Sequence, residues 1–423
     1  MGDFFFKKQA QDSGTVLTFG IKWIAFGIAA GIVVGAVAAL FARAIVWATA
    51  FRKANPQILY GLPLAGVFIV YYYRLLGAKE PKGTNRVITA IRSGERVPLV
   101  MTPLIIVASV ITHLFGGSAG REGAALQVGG SMGNALGRLF RFPKEDRPIL
   151  IMCGMSASFS ALFGTPMAAT ILAMEISTVG FMYYSALVPC AVAALTARFV
   201  AEALGAEAET MVVQNMAKFS PVMGLRTMLF ALFASLAAIL FVVMMHAEKR
   251  LFAQYIKNPY LRALFGGLLI VMLTLLVGSQ TYNGTGSDII AKCVTDPEFR
   301  MPAYGFFLKI MFTAITLAVG FQGGEIVPSL FIGATFGNAF GPLFGMSGSL
   351  GAAIGMACVF SGVTNCPVAS MLICFEMFGF DTAPYIMLSV AIAYIFSGNF
   401  GIYAAQKIHF DKYRAGISDI SAH

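Results

Sequence analysis

Long apolar runs alternate along this chain with short polar breaks rich in glycine and proline. Ile21 to Val46, Leu62 to Leu76, Leu99 to Phe115, Met228 to Met245, Leu261 to Val277 and Phe306 to Phe321 predict membrane-embedded helices. Crossing a bilayer takes about 20 apolar residues, yet several of these runs are shorter or broken by Gly or Pro. Interrupted helices near the midplane are how transporters build substrate sites. Composition sharpens the picture: of 423 residues, 58% are hydrophobic and 12% charged, where a soluble domain carries about 25% charged residues. The reading is an all-α polytopic protein of the lipid bilayer.

Charge adds little chemistry. The net charge of +10 gathers at segment ends, in Lys7 and Lys8, Arg52 and Lys53, Arg138, Arg141, Lys144 and Arg147, and Lys249 and Arg250. The positive-inside rule makes these cytoplasmic anchors and, through Lys7 and Lys8, puts the N-terminus inside. Nucleic-acid binding would need a folded polar domain to display the charge, and none is visible. Cys153, Cys190, Cys293, Cys358, Cys366 and Cys374 and the four histidines lack metal-ligand spacing, so no metal or cofactor is expected and the cysteines read as packed small hydrophobes. MGDFFFKKQAQDSG has no signal-peptide cleavage pattern, and no regulatory soluble domain is expected after His409.

The chain resembles itself at an offset of 201 residues. Lys82-Gly83-Thr84-Asn85 faces Asn283-Gly284-Thr285-Gly286. Gly154-Met155, Pro166 and Glu175 face Gly355-Met356, Pro367 and Glu376, and Gly133 to Phe140 matches Gly337 to Phe344 at a widened offset of 204. The predicted organisation is an N-terminal cytoplasmic segment (1–14), a first membrane repeat (15–205), a linker (206–219), a second repeat (220–410) and a short tail (411–423). Duplicated halves usually meet at the substrate site.

Two glycine-rich breaks stand out inside the repeats. Gly117 to Gln127 (GSAGREGAALQ) faces Gly320 to Leu330 (GFQGGEIVPSL), each opening a helix with a glutamate near its start, Glu122 and Glu325. Glycines such as Gly120, Gly123 and Gly324 permit turns that aim backbone N–H groups into a cavity, and a helix start adds about half a positive charge. A third break, KGTN, contributes Thr84 and Asn85. Converging starts of this kind make an anion site. A glutamate there competes with the anion when ionised and leaves when protonated, so one residue can link anion and proton movement. Arg121 either neutralises Glu122 or faces water and gathers anions. Glu175 and Glu376 read equally as structural caps or as proton carriers. Gly116 to Gly120 also fits the G-x-S-x-G nucleophile pattern with His113 nearby, but a hydrolase explains neither the repeat nor Glu325, so no enzyme is expected.

On these motifs the chain resembles the CLC chloride channels and transporters. GREGAALQVGG is similar to their GREGP signature, GGEIVP takes the place of GxFxP, GTNRV falls where they have GSGIP, and Tyr403 matches the tyrosine that touches the central anion. The resemblance implies an inverted-repeat bundle of tilted, partly spanning helices, a homodimer with one pore per subunit, and Glu122 as the gating glutamate. The GSGIP serine corresponds to Thr84, or to Asn85 if the break shifts by one. Ile326 replaces the phenylalanine of GxFxP, and Glu175-Ile176 stands where proton-coupled chloride exchangers have two glutamates. These departures resemble the fluoride-exporting branch, which exchanges fluoride for protons. The expectation is therefore fluoride export against protons in a bacterial inner (plasma) membrane, with chloride/proton antiport or a passive anion channel as the alternative. Its partners would be fluoride or chloride ions, protons and a second copy of the chain.

Overall fold

The computed structural model describes residues 2–77, 83–413 and 417–422, and the side chains of these except 2–16, 18 and 417–421. Lys82 and the side chains of Lys7 and Lys8 lie outside the described residues. The first half runs α1 (Gly2–Ala54), α2 (Leu62–Leu75), α3 (Thr84–Ser93), α4 (Met101–Leu114), α5 (Glu122–Leu139), α6 (Arg147–Phe163), α7 (Pro166–Glu175), a short strand β1 (Thr178–Val179) and α8 (Leu187–Ala203). The second runs α9 (Pro221–Tyr255), α10 (Pro259–Val277), α11 (Ser287–Thr295), α12 (Gly305–Ala318), α13 (Ile326–Phe340), α14 (Gly348–Thr364), α15 (Pro367–Phe378) and α16 (Ala383–Phe396). Strands β2 (Lys407–Phe410) and β3 (Ile417–Ser421) close the described chain in a small sheet of order β1-β2-β3, so part of the expected tail is structured.

Six helical stretches among the described residues are long and apolar enough to cross a membrane, while others, such as α4, are shorter. Prolines begin several helices, among them Pro166, Pro221, Pro259 and Pro367. At a first helical position proline gives up no needed hydrogen bond.

The halves are inverted. Glu175, ending α7, accepts from the N–H groups of Val368 (3.2 Å) and Ala369 (2.9 Å) at the start of α15. Glu376, near the end of α15, accepts from Met167 (2.9 Å) and Ala168 (2.8 Å) at the start of α7. Equivalent helices that cap each other head to tail run antiparallel, so the axis relating the halves lies across the helices. Both glutamates are caps in this arrangement.

The innermost helices pack backbone to backbone. A Cβ added to Gly129 of α5 would lie 2.2 Å from the Gly154 carbonyl oxygen of α6, and one on Gly337 of α13 would lie 1.9 Å from that of Gly351 on α14. Such seams of small residues replace the hydrophobic driving force that lipid cannot supply.

The expected sorting of charge needs correction. Helix α1 has 53 residues, about 80 Å at 1.5 Å per residue, so Lys7–Lys8 and Arg52–Lys53 sit at opposite ends and cannot both anchor at one membrane face. Arg52 is buried and donates to Gln280 Oε1 at 3.0 Å, and Lys53 pairs with Asp288. The remaining basic clusters do share one end. Lys22 pairs with Asp146 at 2.6 Å, Arg147 donates to the Gly94 carbonyl, Arg92 to that of Ala405, and Arg250 lines a cavity with Ala404.

Candidate functional site

Three helices begin at the contact between the halves: α3 at Thr84, α5 at Glu122 and α13 at Ile326. Their first turns leave N–H groups without intrahelical partners. The breaks before α5 and α13 meet as an isolated antiparallel bridge, in which Gly120 and Gly324 exchange N–H···O bonds of 2.6 Å each. Side chains cannot enter there, since a Cβ on Gly324 would lie 2.4 Å from the Gly123 nitrogen. On either side of this bridge the pattern repeats: Ser118 N donates to Thr316 Oγ1 (3.1 Å) and Gln322 N to Thr112 Oγ1 (3.2 Å).

Two corrections follow. The amides of Gly120 and Gly324 are spent on each other, so these glycines frame the break and their N–H groups are not open to an anion; those of the first helical turns are the remaining candidates. Glu325 is also not the structural counterpart of Glu122. Helix α5 starts at Glu122 and its mate α13 at Ile326, so Glu325 stands where the first half has Arg121.

The two glutamates face different surroundings. Glu325 is half-buried against Gly123, where an added Cβ would lie 3.1 Å from Glu325 Oε2. The Thr84 hydroxyl donates to the Gly123 carbonyl (3.5 Å) and stands near the Glu325 carboxylate. Tyr403 lies within electrostatic reach of Glu325, fully buried. Its hydroxyl has no hydrogen-bond partner among the described residues. Asn85 Oδ1 accepts from the Ala405 N–H at 2.8 Å, which ties the start of α3 to the turn carrying Tyr403. Thr84, Gly123, Glu325 and Tyr403 are thus brought together, with Asn85 and Ile326 at the same helix starts.

Glu122 points elsewhere. Its carboxylate, fully buried, accepts from Arg121 N and Arg121 Nε, both at 3.1 Å. Arg121 Nη2 in turn donates to Glu209 Oε1 at 2.6 Å. Arg121 and Glu209 line a vestibule of about 750 Å³ with Lys53, Thr285 and Asp288. This is the end of the molecule opposite the shared basic clusters.

Several sequence expectations resolve here. The Ser118 hydroxyl pairs with Thr313 Oγ1 (3.0 Å), and His113 is held by the carbonyls of Ser109 (2.7 Å) and Ala119 (3.0 Å), so no serine–histidine dyad forms. All six cysteines are buried and free. Sequence reasoning missed Glu209, for which no motif offers a signal. It also passed over Lys309, whose signal was plain: a lone charge in an apolar run. Lys309 is fully buried on α12 and donates to the carbonyls of Tyr282 (3.2 Å) and Gly284 (2.7 Å).

An inverted pair of helical repeats with broken helices meeting at its centre defines an ion channel or transporter of the membrane. The chain matches the voltage-gated chloride channel model over residues 65–398 and belongs to that family, the CLC family. It is 34% identical over 402 residues to a chloride/fluoride channel protein of Pseudomonas syringae pv. tomato, covering 94% of this chain and 89% of that protein. Among solved structures it is similar to a CLC-type fluoride/proton antiporter, with a TM-score of 0.88, 32% identity, and coverage of 93% of this chain and 98% of the other. A slow cyanobacterial Cl⁻/H⁺ antiporter shares the fold, at a TM-score of 0.75 and 17% identity over 89% of this chain and 94% of that one. The chain is therefore an integral, multi-pass membrane protein of anion transport, and a bacterial plasma membrane suits it.

Proposed function

We propose that this protein exports fluoride in exchange for protons, with Glu122 alternating between the anion site and the vestibule as proton carrier. The observation that carries this is the division of the central site: a buried carboxylate held by Arg121, which lines the vestibule, and behind it a second carboxylate beside a buried hydroxyl with no hydrogen-bond partner among the described residues. A small, strongly hydrated anion that accepts hydrogen bonds well would take the Tyr403 hydroxyl, the N–H groups at the starts of α5 and α13, and the hydroxyl or amide of Thr84 and Asn85. Glu325 sits where it can compete with the anion or hold a proton while the anion passes.

The fluoride choice draws on the fluoride/proton antiporter structure at 32% identity and on the Pseudomonas relative. The latter's name also favours a second reading, a passive channel, which moves anion without protons. The basic clusters at one end mark the cytoplasmic face by the positive-inside rule, so the vestibule opens outward and protons enter past Arg121. We place the functional unit in the two repeats, residues 15–205 and 220–410, joined by the linker 206–219, and take the working form to be a homodimer with one pore per subunit. The chemistry needs no cofactor and no enzymatic step.

Glu122→Gln tests this directly, because the amide can neither carry a proton nor attract Arg121 as a carboxylate does. In vesicles it should abolish proton uptake driven by a fluoride gradient. Proton-coupled exchange at the wild-type rate would rule out the role given to Glu122.

A further inference from the structure

Glu209 lies in the segment joining the repeats, between α8 and α9, and no motif draws attention to it. Its position is nonetheless specific. Its backbone N–H donates to the Phe163 carbonyl at 3.4 Å, and Met211, two residues on, donates to the Met377 carbonyl at 2.8 Å, so the segment is held to both halves. The side chain is 17% exposed and lines the vestibule beside Arg121, whose own side chain is 11% exposed and whose partner Glu122 is fully enclosed.

Arg121 is therefore one cation shared by two carboxylates, Nε serving Glu122 at 3.1 Å and Nη2 serving Glu209 at 2.6 Å. Of the other charges lining the vestibule, Lys53 pairs with Asp288 and Arg43 donates to the Leu204 carbonyl at 3.4 Å, and Glu207 makes no ion pair with Arg121 among the described residues. A buried cation facing a single carboxylate holds it hard, because neither group has water to fall back on. A second carboxylate on the same guanidinium loosens that grip.

We propose that Glu209 is a positioning residue for the gate: it occupies one edge of Arg121 so that Glu122 can let go of the other and swing into the anion site. Glu209 touches neither anion nor the carried proton. The linker between the repeats thereby sets the rate at which Glu122 leaves Arg121, without altering how many protons each anion is exchanged for.

This inference rests on the exchange reading above. The test uses the full chain in vesicles and scores whichever of fluoride and chloride the wild type carries. A wild type that carries chloride would end the fluoride assignment and leave this test intact. Glu209→Gln should slow exchange on the order of tenfold, the effect of about 1.4 kcal/mol, with an unchanged proton-to-anion ratio and an unchanged unfolding temperature. Glu209→Asp, which keeps the charge, should recover most of the rate. Wild-type turnover in Glu209→Gln would overturn the proposal. So would an aspartate variant as slow as the glutamine one, or slowing that comes with a changed ratio or a collapse in thermal stability.

Discussion

Helices α5 and α13 occupy equivalent places in the two repeats and differ at one turn. Their bodies obey the same rule: each presses glycines against a partner helix until backbones touch, Gly129 on Gly154 and Gly337 on Gly351. Their starts do not. In the first half an arginine precedes a glutamate; the arginine lines the vestibule and the enclosed glutamate pairs with it. In the second half a glutamate precedes an isoleucine, and its carboxylate turns inward to Gly123 and Thr84. Duplication preserved what holds the helices together and released what they present to the ion. The shared seam is structure; the divergent first turn is function.

The seam should break symmetrically and with the largest effect. Gly129→Val or Gly337→Val puts atoms where a carbonyl already lies, and overpacking alone costs about 1–3 kcal/mol before any backbone shift. Neither variant should yield protein that elutes as a single folded species in detergent. The starts should break asymmetrically. Beyond the loss of proton coupling expected for Glu122→Gln, Glu325→Gln should reduce fluoride turnover about tenfold or more, since the amide can neither take up nor release the proton that Glu325 would hold as the anion passes. Unaltered fluoride turnover in Glu325→Gln would make that glutamate structural.

Tyr403→Phe sharpens the comparison at smaller scale. A hydrogen bond to a charged partner is worth about 1.5–3 kcal/mol, so removing this hydroxyl should weaken apparent fluoride affinity about ten- to a hundredfold while leaving the unfolding temperature unchanged. An equal affinity would place the anion away from that hydroxyl. The smallest effect falls on the reciprocal caps. Glu175→Gln and Glu376→Gln each keep one acceptor of two, and each should cost about 1 kcal/mol, seen as similar modest drops in thermal stability with coupling intact. Loss of coupling in Glu175→Gln alone would return that residue to the proton path.

Much of this was legible in the sequence where local chemistry decides the outcome. Glycine-fenced charges in an apolar run, the repeat, and prolines ahead of matching helices all point to broken helices meeting at a centre, and Thr84, Glu122 and Ile326 do begin helices there. What stayed hidden depends on spatial partners. The one-residue register that pairs Glu325 with Arg121 is invisible while two glutamates align so readily. The capping exchange between Glu175 and Glu376 requires knowing that the repeats run in opposite directions. Arg52 reads as an anchor until Gln280, far along the chain, is seen to receive it. Glu209 has meaning only through Arg121, and a linker carboxylate carries no pattern of its own.

The most direct measurement follows wild-type protein in vesicles loaded with fluoride or with chloride, recording anion efflux by electrode and external pH together. The account predicts fluoride efflux accompanied by proton uptake, with little chloride movement. Brisk chloride flux, or fluoride flux that leaves external pH unchanged, would contradict it.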